Sequence, residues 1–243
     1  RNARVVMTPS NYFSSIVETW GGVKPTTIYN GVDIDKIRAC IGERKTNEHF
    51  SIIASGRMVP WKGFKELIDI LLENSTWHLS LVGDGPDMSY LKQHVQSCGL
   101  NKRVSFLGTL PHQTLWQTIA RHDVFVLNSS FESFSYQVVE AMILGVPIVA
   151  PDGSNLREII THEQEGLLVP FSDNSALSKA LARIKDNENL RKTISQSAQK
   201  KGHTFSIQET ISNLLVLFKH SVSRNHIIFL GTDVNMFVTN SRS

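Results

Sequence analysis

Apolar positions along the chain follow two alternating patterns. Short runs rich in β-branched residues end at glycine, proline or serine, which is typical of buried strands. Between them, apolar residues recur three or four positions apart, as in helices that cover a sheet. The predicted strands are residues 4–7, 50–55, 78–82, 104–107, 124–127, 147–150 and 167–169. This alternation predicts βα units on a parallel sheet.

Six stretches have the spacing of amphipathic helices. They are residues 61–73, 87–97, 133–144, 174–185, 188–201 and 207–220. In the first, the predicted apolar stripe is Phe64, Leu67, Ile68, Leu71 and Leu72. The pattern beyond residue 170 is mostly helical. The sequence therefore predicts an α/β fold, a doubly wound, Rossmann-like parallel sheet with C-terminal helices.

The composition is that of a globular protein. The chain has 243 residues, of which 41% are hydrophobic and 19% charged, enough for one domain or a domain and a half. Its net charge of +3 comes without a long basic block, so no nucleic-acid partner is predicted. Cys40 and Cys98 lack metal-ligand spacing, which favours a reducing compartment. No apolar run of about 18 residues predicts a membrane-spanning helix.

The candidate site lies in the loops after the predicted strands, because open parallel sheets bind ligands beyond the carboxyl ends of their strands. Arg57 follows the strand 50–55, and Lys62 stands five residues later, at the predicted start of a helix. Arginine offers a planar fork to phosphate oxygens and lysine a compact charge. Both charges can converge with the helix dipole on one anion. The alternative is that both residues only solvate the surface.

Two carboxylates, Glu132 and Glu140, flank an otherwise apolar segment. With a helix starting near Ser133, Glu132 lies at its N-terminus and Glu140 about two turns inside. The amides of Ser133 to Tyr136 would then be unpaired donors facing an anion, and the carboxylates could accept sugar hydroxyls. Electrostatic capping is the alternative for Glu132. Solvent exposure is the alternative for Glu140, although its apolar neighbours predict burial, which is costly for an unpartnered carboxylate.

Six segments together resemble the donor-binding half of a retaining glycosyltransferase of family 4, with the GT-B fold. Their order and spacing match over about residues 4–205. The segments are YNGVD (29–33), SGRMVPWKGF (55–64), LVGDGPD (81–87), VSFLGTL (104–110), ESFSYQVVEAMILGVPIVA (132–150) and EGLLVP (165–170).

The resemblance implies transfer of a sugar, with retention, from a UDP- or GDP-sugar, with no essential metal and no cofactor. It assigns Arg57 and Lys62 to the donor diphosphate, Glu132 and the amide region of Phe134 and Ser135 to the sugar, and Glu140 to the ribose. The catalytic candidates are Glu132, Arg57 and Lys62. The substrate-binding candidates are Gly56, Leu110 (beside the base), Ser133, Phe134, Ser135, Tyr136 and Glu140. Two positions depart from the family: Ser135 stands where glycine is usual, and Asn128 where proline is frequent.

The resemblance also predicts how the chain is divided. Residues 1–28 would be the end of an acceptor-side domain, and residues 29–205 the nucleotide-sugar domain. Residues 206–243 would hold a returning helix, followed either by the start of a further module or by an edge strand or disordered end. A first Rossmann domain of the same polypeptide is expected to be missing.

The expected partners are a nucleotide-sugar donor and a glycan or lipid-linked acceptor. The expected location is the cytoplasm, with peripheral association at the inner face of the membrane left open. Two alternatives remain: a nucleotide-sugar binding module without transfer activity, and another GT-B enzyme such as a nucleotide-sugar 2-epimerase. The pairing of Glu132 with Glu140 favours transfer.

Overall fold

The computed structural model describes residues 5–42, 48–221 and 227–229. The strands of this part are β1 (Val5–Thr8), β2 (Thr26–Thr27), β3 (Phe50–Ser55), β4 (Trp77–Val82), β5 (Val104–Gly108), β6 (Val124–Val126), β7 (Ile148–Pro151), β8 (Leu167–Val169) and β9 (Ile227–Phe229). The helices are α1 (Asn11–Gly21), α2 (Ile34–Arg38), α3 (Phe64–Asp69), α4 (Met88–Ser97), α5 (His112–Ala120), α6 (Tyr136–Ile143), α7 (Leu156–Ile159), α8 (Asn174–Asp186), α9 (Glu188–Gly202) and α10 (Ile207–Ser221), with a 3₁₀-helix at Pro60–Lys62.

The main sheet contains six parallel strands in the order β5-β4-β3-β6-β7-β8. The chain winds outward from β3 to β5, then returns to place β6 beside β3 and winds the other way. The direction of winding therefore reverses between β3 and β6, which is the switch point where such sheets bind ligands. This topology confirms the predicted doubly wound α/β fold.

Apolar side chains cover both faces of the main sheet, as expected for parallel strands. Neighbouring residues of β3 point to opposite faces, so Ile52 joins one core layer and Ile53 the other. Leu67 of α3 packs in the layer of Ile52, and Val139 of α6 packs in the layer of Ile53. The sheet is thus fixed between helices, and its carboxyl edge is a rigid support for loops.

Two predicted helices are shorter than expected. The stretch 61–73 is divided at Gly63, whose φ of +64° ends the 3₁₀-helix before α3 begins. Leu72, assigned to the buried stripe, lies beyond α3 and is 53% exposed. The stretch 133–144 becomes helical at Tyr136, because Ser135 has an extended backbone. The other predicted bounds agree to within one or two residues.

A second, smaller parallel sheet has the order β2-β1-β9. Its strand β1 leads into α1, and β9 belongs to the predicted strand-like tail. Residues 222–226 and 230–243 of that tail lie outside the described residues, so the hypothesis of a further module stays a prediction. At the C-terminal side, α9 packs on α6, where a Cβ at Gly202 would lie 3.2 Å from Met142 and Ile143 side-chain atoms.

Candidate functional site

Two loops lie side by side at the switch point. We call residues 56–63 the β3 loop and residues 127–135 the β6 loop. The Asn128 side-chain amide donates to the Gly63 carbonyl at 3.0 Å, and the Ser130 amide donates to the Trp61 carbonyl at 2.9 Å. A Cβ at Gly63 would lie 2.4 Å from the Asn128 carbonyl oxygen, so only glycine fits there. Asn128, a departure from the family pattern, thus fastens the two loops together.

Lys62 and Glu132 join these loops through an ion pair. The Lys62 Nζ lies 2.5 Å from a Glu132 carboxylate oxygen, and the side chains are only 19% and 12% exposed. Gly56 lies beneath this lysine, since a Cβ there would be 3.9 Å from Lys62 Cδ. Arg57, in the same loop, is exposed and forms no hydrogen bond or ion pair with another described residue. In the β3 loop, Lys62 is therefore paired with a carboxylate, whereas Arg57 has no partner among the described residues.

The turn after β4 supports the β3 loop from its other side. The Gly56 amide donates to the Val82 carbonyl at 3.0 Å, and the Met58 amide donates to the Asp84 carbonyl at 2.9 Å. A Cβ at Gly83 would lie 2.0 Å from the Gly56 carbonyl oxygen. The close approach of the two backbone segments therefore leaves no room for a side chain at position 83.

Glu140 lies within α6 and is buried, with 5% of its surface exposed. Burial raises the pKa of its carboxyl, and the nearby Trp116 indole and His112 offset part of that rise. The Trp116 Nε1–H is buried and does not complete a hydrogen bond of standard geometry within the described part of the chain. The carboxylate therefore keeps acceptor capacity for incoming hydroxyl groups.

Of the amides predicted to form the first helical turn, those of Ser133, Phe134 and Ser135 belong instead to the β6 loop, because α6 begins only at Tyr136. The amides of Phe134 and Ser135 donate to no described residue, which keeps them available to an anion. The Ser135 backbone is extended (φ −104°), a conformation open to any residue, so serine in place of glycine causes no strain.

Two other predicted site residues, Phe134 and Leu110, pack against the core. The Phe134 ring is buried against Tyr136 and Phe205, with centroids 5.4 and 5.9 Å away, so its side chain belongs to the core. Leu110 follows β5, two strands from β3, and packs against the same core layer as α6. The structure therefore brings Lys62, Glu132, Gly56 and Arg57 together, and leaves Glu140 and Leu110 on separate elements.

A cavity of about 360 Å³ lies elsewhere in the molecule. Its lining includes Tyr29, Glu158, Lys201, Phe205 and Thr210, and none of the predicted site residues. The predicted donor site is thus an open edge formed by two loops, separate from this cavity.

Sequence reasoning missed the neighbours of Glu140 on α5. The rings of His112 and Trp116 lie 5.8 Å apart on that helix, and α5 packs on α6. The apolar pair Leu115 and Ile119, four positions apart, was the signal that could have predicted the helix.

Two further features concern metals and membranes. In residues 5–42, 48–221 and 227–229, no group of three or more histidine, cysteine, aspartate or glutamate side chains could hold a metal ion. Within the same residues, the helices are too short or too polar to cross a membrane.

Comparison with known sequences gives consistent matches. The sequence model of the family described as glycosyl transferases group 1 matches residues 35–201. The chain is 33% identical over 181 residues to a lipopolysaccharide core biosynthesis glycosyltransferase LpsD of Rhizobium meliloti, covering 72% of this chain and 51% of that protein. It is 26% identical over 211 residues to a UDP-Gal:alpha-D-GlcNAc-diphosphoundecaprenol alpha-1,3-galactosyltransferase of Escherichia coli, covering 81% and 54%. The chain thus spans about half the length of these curated relatives.

Solved structures share the fold. The structure of Anabaena Alr3699/HepE in complex with UDP-glucose has a TM-score of 0.81 at 24% identity, covering 89% of this chain and 64% of that one. A sucrose-phosphate synthase from Thermosynechococcus elongatus has a TM-score of 0.82 at 23% identity, covering 91% and 59%. At these identities the likeness concerns the fold alone.

Proposed function

The chain belongs to the group 1 glycosyltransferases, and from this membership we propose that it is the donor-binding half of an enzyme that transfers a sugar from a nucleotide-diphosphate sugar to a glycan or lipid-linked acceptor. We assign the donor-binding domain to residues 29–205. The observation that carries the proposal is the 2.5 Å contact of Lys62 with Glu132 at the switch point, in the same loop as Arg57, which has no partner among the described residues.

The charges at this edge suit a departing nucleoside diphosphate. Breaking the bond to the sugar builds negative charge on the leaving phosphate oxygens, and fixed cations and amides stabilise that charge. Arg57 would bind the phosphate oxygens with its planar guanidinium. Lys62 would share its charge between Glu132 and the diphosphate, and the amides of Phe134 and Ser135 would donate to the same anion. This arrangement requires no metal ion.

The two carboxylates would bind hydroxyl groups of the donor at different points. Glu132 is held by Lys62 with its second oxygen outside that contact, so it can accept from a sugar hydroxyl. Glu140, buried beside the Trp116 indole, would accept from the two ribose hydroxyls with its remaining lone pairs. Leu110 would lie beside the base. We infer retention of anomeric configuration from the resemblance of the segments to retaining enzymes.

The names of the relatives support the acceptor class. One relative is named for lipopolysaccharide core biosynthesis and another for transfer to a diphosphoundecaprenol-linked sugar. A lipid-linked acceptor would place the reaction at the inner face of the membrane, with the enzyme bound peripherally.

Calorimetric titration of the chain with UDP, GDP and ADP tests the donor site. One of the three nucleotides is expected to bind. Arg57→Ala and Glu140→Ala should each weaken its binding roughly tenfold or more, because each substitution removes hydrogen bonds that involve a charged group. Lys102→Ala is the matched control, because Lys102 is exposed just before β5, at the opposite edge of the sheet. Equal and negligible binding of all three nucleotides by the unmodified chain would contradict the assignment. Nucleotide binding without transfer by the full-length protein would support a binding module instead.

A further inference from the structure

Ser10 connects the segment before the main sheet to the proposed donor site. Its side chain is fully buried. The hydroxyl donates to the Ser133 carbonyl oxygen at 2.7 Å and accepts from the Phe13 amide at 3.1 Å. The serine therefore caps α1 and at the same time binds the β6 loop, 123 residues away in sequence.

Glu158 of α7 fixes the beginning of α1 in place. Its carboxylate accepts from the amides of Asn11 and Tyr12, at 2.9 and 2.7 Å. It also accepts from the Tyr29 hydroxyl at 2.6 Å. Because α7 follows β7 of the main sheet, these bonds tie the N-terminus of α1 rigidly to that sheet.

Aromatic contacts add a second link to the β6 loop. The Phe131 ring lies 6.1 Å from that of Tyr12 and 6.4 Å from that of Phe13, measured between centroids. The β6 loop is thus held on one side by α1, and on the other by the β3 loop through Lys62 and Trp61.

We propose that Ser10 is a positioning residue of the donor site: through its bond to Ser133 it fixes the β6 loop and with it the carboxylate of Glu132. The consequence for the donor site rests on the proposed function, whereas the positioning of the loop does not. Glu132 immediately precedes Ser133 in a loop without helix or strand, so the Ser133 carbonyl sets the direction of the Glu132 backbone. A displacement of about 1 Å of such a group is enough to weaken a site substantially.

The effect of Ser10 should differ between the two parts of the donor. Glu140 lies in α6, within the packed core, and is not among the hydrogen-bond partners of Ser10 in the described structure. The Phe134 and Ser135 amides, proposed to bind the diphosphate, lie in the same loop as Glu132, whereas Arg57 and Glu140 do not. Loss of the Ser10 hydroxyl should therefore weaken binding of the nucleotide sugar, which also contacts Glu132, more than binding of the nucleoside diphosphate. A general loss of stability would weaken both equally.

Hydrogen exchange of the chain tests the positioning directly. Ser10→Ala should raise amide exchange in residues 128–135 roughly fivefold, the equilibrium factor expected for one hydrogen bond. Ser10→Gly keeps most of the capping preference of the position but also lacks the hydroxyl. Both variants should therefore show the same increase. Ser15→Ala is the control, since Ser15 is an exposed residue of the same helix whose hydroxyl also binds a backbone carbonyl, that of Tyr12.

Titrations that compare UDP-glucose with UDP, and GDP-mannose with GDP, measure how the substitution changes donor binding. Ser10→Ala should weaken binding of the nucleotide sugar roughly fivefold relative to binding of the diphosphate, and this difference between the two ligands should disappear in a Glu132→Gln background. Unchanged amide exchange in residues 128–135 would overturn the proposal. An equal loss of affinity for the nucleotide sugar and for the nucleoside diphosphate would overturn it as well. If the unmodified chain binds no nucleotide, the proposed function fails, while raised exchange in Ser10→Ala still supports control of the loop by Ser10.

Discussion

Replacing Glu140 by glutamine should stabilise the chain at neutral pH while weakening nucleotide binding. The carboxylate is 5% exposed, and its burial outweighs the stabilisation that it receives from the Trp116 indole and from His112. A buried charge that its neighbours stabilise only in part is costly, and an amide of the same shape avoids much of that cost. A group that binds a ligand hydroxyl is therefore expected to lower the stability of the free protein.

The size of the effect follows from the burial of this one group. A buried unsatisfied polar group costs about 1–3 kcal/mol, and a charged one more. Because the glutamine amide is also partly unsatisfied, the expected net gain is about 1–2 kcal/mol. For a domain of this size, that gain corresponds to a rise in Tm of roughly 2–8 °C.

The raised pKa of Glu140 determines how the stability difference between the two proteins changes with pH. Burial raises the folded-state pKa of Glu140 above the ordinary value of a glutamate. The folded state therefore binds this proton more tightly than the unfolded state, and stability falls as pH rises between the two pKa values. The advantage of Glu140→Gln should be full above the folded pKa and should disappear below about pH 4, where both states are protonated.

Urea unfolding of both proteins between pH 4 and pH 8 measures this difference. Glu73→Gln is the matched control, because Glu73 is exposed on the surface. The same samples, titrated with nucleotide, report the loss of binding. A glutamine variant that is less stable at pH 7, or whose advantage is the same at pH 4 and pH 8, would refute the reasoning.

Three further changes test the structure. Lys62→Met leaves the Glu132 carboxylate, 12% exposed, without its cation, and should cost roughly 1–3 kcal/mol in urea unfolding; undiminished stability would argue against the ion pair. Gly63→Ala places a Cβ 2.4 Å from Asn128, at a φ of +64°, and should lower the free energy of unfolding by at least about 2 kcal/mol. Its control, Gly42→Ala, adds a Cβ in open space and should be nearly neutral when both are measured by thermal unfolding. Burial lowers the pKa of His122, so the unfolded state binds its proton more tightly and stability should fall as pH drops below 6.5; a variant His122→Gln with an unchanged slope between pH 5 and pH 7 would contradict this.

The strands of the main sheet were largely predictable from the sequence. Buried parallel strands require continuous apolar runs, and residues 50–55 and 167–169 show them with the observed bounds. The division of the helix at Gly63 was not predictable, because glycine occurs both within helices and at their ends. Helix α5 was missed because its first turn, starting at His112, is polar.

The site was predictable in its components but only partly in its contacts. Placing Arg57, Lys62 and Glu132 after strands was enough to bring them to one edge, once the winding order made β3 and β6 neighbours. The contact between Ser10 and Ser133 depends on how α1 docks against α7. No periodic pattern records contacts between segments so distant in sequence.

The reversal of winding between β3 and β6 also bears on how the chain folds. Residues 50–108 build one half of the main sheet and residues 124–169 the other, so each half can assemble from nearby stretches of chain. The edge that holds Lys62 and Glu132 exists only after the two halves have met. A nucleotide bound across that seam would, by mass action, hold the halves together as one cooperative unit.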